Sequence, residues 1–238
     1  MTDALFIGAH PDDVEILAGG TVARLAHAGR KVVVADATRG EMGTRGTPEE
    51  RAVEAANAAK VLKVERVNLG LPDGRISEDI PAATRRVVQL LRDVRPRTVF
   101  VHEAGDHHPD HNAISQAVKF ACFQSNVLKY DTGQERFKPS RLFYFVGSRA
   151  RWPRNPDFVV DITDSWDTKV AALREHRSQV ANKDYKGPET FISSDIAWHM
   201  IEMRAGFFGA MINVRYGEAF LADAPLRIDD PLSLPDVV

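Results

Sequence analysis

Residues 4–13 read ALFIGAHPDD, an apolar run that ends in glycine and passes into a polar loop. A short apolar run with such a boundary is typical of a buried strand. Three further runs of this kind, at residues 31–37, 66–69 and 98–101, follow in the first half of the chain. Apolar residues at spacings of three and four over 80–94 predict an amphipathic helix. The stretch Thr47-Pro48-Glu49-Glu50 marks the start of another helix, which we expect to run to about residue 62.

The alternation of strands and helices predicts an α/β fold, a Rossmann-like, doubly wound and mostly parallel sheet with helices on both faces. In the second half, residues 142–146 and 158–162 are predicted as strands, and residues 166–175 and 196–207 as helices. No low-complexity linker and no internal repeat interrupts the sequence. We therefore expect residues 1–238 to form a single domain.

Composition favours a soluble protein that acts on a small molecule. The chain is 44% hydrophobic and 27% charged, its net charge is −2, and its basic residues are scattered, which argues against a nucleic-acid partner. It contains no apolar run of about 18 residues and no amino-terminal signal-peptide pattern, so we expect a cytoplasmic protein without a membrane partner. Cys122 is the only cysteine, which excludes an internal disulfide and a cysteine-based zinc site; we expect it to be a buried small apolar residue.

A His-Pro-Asp-X tetrad occurs twice, at residues 10–13 and 108–111. Each copy lies just beyond a predicted strand, the first and the fourth. In the usual 3-2-1-4 order these strands are neighbours, and ligands of open α/β sheets bind at this point, outside the carboxyl ends of the strands. The two tetrads are therefore predicted to face each other across one crevice.

Two histidines and one carboxylate from these loops would form a three-ligand site for a catalytic zinc ion, with one position left open. Ferrous iron accepts the same ligands. Of the adjacent Asp12 and Asp13, we expect one to bind the metal and the other to take a proton. His108 lies three residues before His111 and could stand near the metal without binding it, with Asp110 holding its ring as an imidazolium that stabilises an oxyanion.

The two tetrads, together with DATRGE at residues 36–41, resemble the LmbE-like (PIG-L) family of zinc N-acetylglucosamine deacetylases, and the resemblance spans nearly the whole chain. Within that family, four short segments resemble the bacillithiol-pathway branch, which deacetylates N-acetylglucosaminyl-malate. They are GTRGTP at 43–48, LGLPDG at 69–74, SQ at 178–179 and YGEAF at 216–220.

The resemblance implies roles for individual residues. It makes His10, Asp13 and His111 the ligands of one zinc ion per chain, Asp12 the general base, and His108 the acid or oxyanion partner with Asp110 behind it. It places Arg51 as a substrate-binding arginine. It also implies a homo-oligomer, a hexamer in relatives of this type.

Several residues near these motifs have a second interpretation. Arg45 is a further candidate for substrate contact, and otherwise a solvated surface charge. We interpret Asp73, in Pro-Asp-Gly, as a turn residue, and Glu41 as an acid that shapes its loop. His107 stands where the bacillithiol branch often has arginine, and we expect it to be a surface residue or a neighbour of the metal ligands.

The sequence also permits other functions. The substrate could be another N-acetylglucosamine conjugate, such as an inositol glycoside or a chitooligosaccharide, or the protein could be an amidase of thiol conjugates. A different class would be a non-catalytic sugar- or nucleotide-binding α/β protein, in which the histidines only shape a pocket.

Overall fold

The computed structural model describes residues 2–147, 155–180, 182, 184–230 and 232. The strands in these ranges are β1 (Thr2–Gly8), β2 (Val32–Asp36), β3 (Glu65–Asn68), β4 (Pro96–His102), β5 (Arg141–Phe145), β6 (Phe158–Asp161) and β7 (Gly217–Ala222). The α-helices are α1 (Asp13–His27), α2 (Pro48–Leu62), α3 (Ile80–Val94), α4 (Pro109–Gln124), α5 (Trp166–Glu175) and α6 (Asp195–Ala210). Short 3₁₀ turns cover Ile76–Asp79 and Thr163–Ser165.

The seven strands form one sheet in the order β3-β2-β1-β4-β5-β7-β6. The first five strands in this order are parallel, whereas β7 runs antiparallel to both β5 and β6. The predicted α/β fold with a 3-2-1-4 core is confirmed. The sequence pattern predicted neither β7 nor α4 and gave no bounds for α1. The predicted bounds of the other strands and α-helices differ from the observed ones by at most three residues.

Helices cover both faces of the sheet, as predicted. Alternate side chains of β1 point to opposite sides: Leu5 and Ile7 pack with α3 and α4, and Phe6 packs with α1, α2 and α5. Cys122 is half-buried and packs against the first of these cores. None of the helices in the described ranges is both long and apolar enough to cross a membrane.

The start of α2 follows the predicted pattern. The Thr47 hydroxyl accepts a hydrogen bond from the Glu50 amide (3.1 Å), and the Glu50 carboxylate accepts one from the Thr47 amide (2.8 Å). This capping box satisfies two amides that the helix leaves free. It fixes where α2 begins, one turn before Arg51.

Candidate metal centre

The two His-Pro-Asp loops meet at the carboxyl edge of the sheet, because β1 and β4 are parallel neighbours. The carboxylate of Asp13 lies between two imidazole rings. One oxygen is 3.2 Å from Nδ1 of His10, and the other is 3.4 Å from Nε2 of His111. The fold thus brings together the three predicted metal ligands, which come from positions about 100 residues apart in the sequence.

The second nitrogen of each of these rings faces a further carboxylate. Nε2 of His10 lies 3.1 Å from Asp73 and 3.4 Å from Asp110, and Nδ1 of His111 lies 3.2 Å from Asp106. A carboxylate behind a histidine fixes the orientation of the ring and raises its strength as a ligand. The chain therefore offers Nδ1 of His10, Nε2 of His111 and a carboxylate oxygen of Asp13, which are donor types that a divalent metal ion such as zinc accepts.

His102, the last residue of β4, is a neighbour of this site that the sequence analysis missed. Its ring stacks on that of His111 at a centroid distance of 3.9 Å, and its Nε2 lies 3.3 Å from Asp13. Ligand atoms of Asp13, His102 and His111 lie within 4.8 Å of one another, as do those of His10, His108 and His111. However, Nε2 of His102 accepts a hydrogen bond from the Ala9 amide (3.1 Å). Because that bond occupies the lone pair of Nε2, His102 is a poorer metal ligand than His10. It lies behind the ligands and packs on them.

Asp12 occupies an unusual position beside the ligands. Its backbone has φ 127° and ψ −26°, a conformation that L-residues rarely adopt. Burial raises the pKa of Asp12 to about 6, although Arg51, 3.5 Å away, acts in the opposite direction. A carboxyl group that titrates near neutrality can both take and return a proton, which a general base requires.

His108 caps the amino end of α4. Its Nδ1 accepts a hydrogen bond from the Asp110 amide (3.2 Å), so the proton of the neutral ring resides on Nε2, which can act as a donor. Burial, followed by the neighbouring His10 and His111, lowers the pKa of His108. The arrangement favours a neutral donor over the imidazolium expected from the sequence.

The Asp110 carboxylate faces His10 instead of holding the His108 ring, which corrects the sequence-based prediction. It accepts hydrogen bonds from the Gly74 amide (2.6 Å) and the Ile76 amide (3.3 Å). The physical reason is its place in the first turn of α4, where the side chain turns towards the loop that follows β3. Asp110 therefore belongs to the support of a metal ligand.

The three predicted ligands, together with Asp12 and His108, line a cavity of about 380 Å³, within the size range of small-molecule sites. His10, Asp12, Asp13, His108 and His111 form its polar floor. The remaining wall is largely apolar, with side chains from α1, from the loop before α6 and from α6 itself: Ile16, Leu17, Phe191, Ile192, Met200 and Ile201. A molecule of the size of a sugar derivative can place one polar group on the floor.

The other predicted residues lie at different distances from this cavity. Arg51 and His107 line it, whereas Arg45 is not among its lining residues. Arg45 is buried, with its guanidinium 4.7 Å from the centre of the Tyr185 ring, so it is not a solvated surface charge. His107 contacts Asp106 at 2.9 Å, in agreement with its interpretation as a neighbour of the ligands.

Two acids near the site, Glu41 and Asp73, were interpreted from the sequence as loop and turn residues. Glu41 accepts hydrogen bonds from the Asp73 amide (3.1 Å) and the Arg39 amide (3.2 Å), which confirms that it shapes its loop. Asp73 is buried, lines the cavity and contacts His10, so the turn interpretation was incomplete. Its place just beyond β3, at the same sheet edge as the two tetrads, was the signal that could have identified it.

Comparison with known proteins gives consistent matches. The family model described as PIG-L, GlcNAc-PI de-N-acetylase, matches residues 5–122. The uncharacterized deacetylase YaiS of Escherichia coli K12 is 32% identical, over 73% of this chain and 90% of that protein. A 1D-myo-inositol 2-acetamido-2-deoxy-alpha-D-glucopyranoside deacetylase of Segniliparus rotundus is 31% identical, over 74% of this chain and 77% of that protein. A probable N-acetyl-alpha-D-glucosaminyl L-malate deacetylase 2 of Bacillus cereus is 30% identical, over 74% and 82%.

One solved structure matches over the full length. The conserved protein TT1542 of Thermus thermophilus has a TM-score of 0.86 and 35% sequence identity, and the match covers 99% of this chain and 100% of that one. The architecture described above is thus shared from end to end with an experimentally determined structure.

Proposed function

This chain belongs to the PIG-L (LmbE-like) family, and we propose that it is a zinc-dependent hydrolase that removes the acetyl group from an N-acetylglucosamine conjugate. The observation that carries the proposal is the convergence of His10, Asp13 and His111 beside Asp12 in one cavity. Sequence relatives that are named as deacetylases of such conjugates support it.

The protein's own groups can perform the proton transfers of amide hydrolysis. When bound, a divalent zinc ion would supply Lewis-acid polarisation and lower the pKa of a coordinated water. Asp12 accepts a proton from the water that attacks the acetamide carbon. His108 donates from Nε2 to the developing oxyanion, as an oxyanion hole requires. Asp12 then returns the proton to the nitrogen as the C–N bond breaks, which yields acetate and a free amine.

We further propose N-acetylglucosaminyl-malate, in bacillithiol biosynthesis, as the preferred substrate. The support is the resemblance of four short segments to that branch and the 30% identity to the Bacillus cereus protein. The inositol glycoside and a chitooligosaccharide are the alternatives within the same chemistry. A cytoplasmic location and a homo-oligomer, with a hexamer as the first expectation, complete the proposal.

The test is acetate release by zinc-loaded protein from a matched panel of the malate glycoside, the inositol glycoside and diacetylchitobiose. We expect release from the malate glycoside at the highest kcat/KM. Faster release from another glycoside would overturn the substrate and keep the reaction. No release from any of the three, with zinc bound, would favour the non-catalytic binding protein. Metal analysis of the purified protein identifies the ion that it binds. Acetate release by an iron-loaded sample, compared with that of the zinc-loaded protein, shows which ion supports the reaction.

A further inference from the structure

We propose that Arg51 is a positioning residue that holds Asp12 in its productive place. The inference rests on the proposed role of Asp12 as the general base.

The Arg51 guanidinium joins two loops at the cavity floor. Nη2 donates to the carbonyl oxygen of Pro11 (2.7 Å), and Nη1 donates to the carbonyl oxygen of Gly40 (3.2 Å). Nη2 also lies 3.5 Å from the Asp12 carboxylate, and the side chain is only 5% exposed. Its Nε is enclosed as well and has no hydrogen-bond partner. Although Arg51 forms part of the cavity wall, its guanidinium is thus held by bonds to the protein itself.

The loop after β2 is built around this side chain. A Cβ atom on Gly40, which has φ +69°, would lie 1.8 Å from Nη1 of Arg51. A Cβ on Gly43 would lie 3.2 Å from the same nitrogen, and one on Gly46 would lie 3.2 Å from Cγ of Arg51. Gly40 thus makes room for the guanidinium, whereas a Cβ on Gly46 would first meet Oγ of Ser178 at 2.5 Å. Such an enclosure fixes the guanidinium, as a positioning role requires and an adaptable substrate contact does not.

The bond to Pro11 falls where the backbone is most strained. The carbonyl of Pro11 belongs to the peptide group that leads into Asp12, whose φ of 127° lies outside the usual regions. A strained backbone conformation of this kind persists only where the contacts around it hold it in place. Arg51 binds the peptide on one side of Asp12 and faces its carboxylate as well. Removing Arg51 should therefore let this turn relax and carry the carboxylate away from its place.

The experiment compares Arg51→Gln and Arg51→Lys with wild-type protein, all zinc-loaded. We expect Arg51→Gln to lower kcat by about 100-fold, the usual cost of roughly 1 Å of misplacement, with KM changed less than about threefold. Arg51→Lys keeps the positive charge and one donor nitrogen, so it should recover about a tenth of wild-type kcat. Lys60→Gln removes an exposed charge from the same helix and serves as the matched control, with unchanged kinetics.

Two further measurements separate positioning from substrate contact. In an Asp12→Asn background, Arg51→Gln should lower kcat by a further factor of less than about three, because the effects of residues that act as one unit are not additive. Crystal structures of wild-type and Arg51→Gln should show Asp12 displaced by roughly 1 Å or moved out of its positive-φ conformation.

The proposal fails if Arg51→Gln raises KM and leaves kcat unchanged, or if its effect on kcat multiplies with that of Asp12→Asn. It also fails if Asp12 has the same position in the variant structure as in wild type. If Arg51→Gln does not fold, the same kinetics and structure are obtained with Arg51→Lys. Should wild-type protein release no acetate, the proposed function fails, whereas the structural comparison still decides the role of Arg51.

Discussion

Replacing Arg66 by methionine should destabilise the protein strongly, because this arginine neutralises two buried carboxylates, those of Glu15 and Asp36. Its guanidinium forms two bonds of 2.8 Å to Asp36 and a further bond to Glu15. Glu15 is fully buried and Asp36 is 2% exposed. Removing one partner of a buried ion pair costs about 3–5 kcal/mol, since the remaining charge loses its compensation. For a chain of this length, that corresponds to a fall in Tm of roughly 6–20 °C.

The loss should also depend on pH, with a definite sign. In wild-type protein burial alone would raise the pKa of Glu15, but Arg66 and His176 outweigh it and hold that pKa far below its usual range. Glu15 therefore contributes stability above its unfolded pKa of about 4.3, and this contribution is lost as the pH falls. In Arg66→Met the folded pKa rises, so the carboxyl group is more easily protonated. The difference between the two proteins should be largest near pH ~8 and shrink towards pH ~5.

The assay is urea unfolding at several pH values, with Arg97→Met as the matched control. Arg97 is exposed on β4, and its replacement should cost less than about 0.5 kcal/mol. Adding Glu15→Gln to Arg66→Met should restore part of the stability. A loss below about 1 kcal/mol, or one that grows as the pH falls, would refute the reasoning about uncompensated buried charge.

Three further predictions concern the site. Asp12→Asn should keep its zinc while kcat falls by about 10²- to 10⁴-fold; metal analysis beside acetate release checks both, and near-normal turnover would remove Asp12 as the base. His111→Ala and Asp13→Ala should each lose the metal, because only two of three ligands remain; full zinc occupancy in either variant by mass spectrometry would contradict the ligand set. Asp106→Asn, which weakens the support of His111, should lower zinc affinity by about 10- to 100-fold in a chelator competition; an unchanged affinity would mean that the 3.2 Å contact does not tune the ligand.

The family-based prediction of His10, Asp13 and His111 as ligands stays a prediction, but the structure removes the main geometric objection to it. The sequence placed each tetrad beyond a buried strand, and the observed parallel pairing of β1 with β4 brings the tetrads together. The tetrads could be predicted to meet because apolar runs identify the strands locally and the order of strands in such folds is restricted.

By itself, then, the sequence determined the doubly wound core, the edge at which the site lies and the residue types available there. Only the tertiary structure decided which carboxylate stands behind which imidazole: Asp73 and Asp110 behind His10, and Asp106 behind His111. It also decided that β7 lies between β5 and β6 and runs antiparallel to both. The physical reason is that strand formation follows from the local spacing of apolar residues, whereas the direction of a side chain in a loop depends on backbone angles and on partners far away in the sequence.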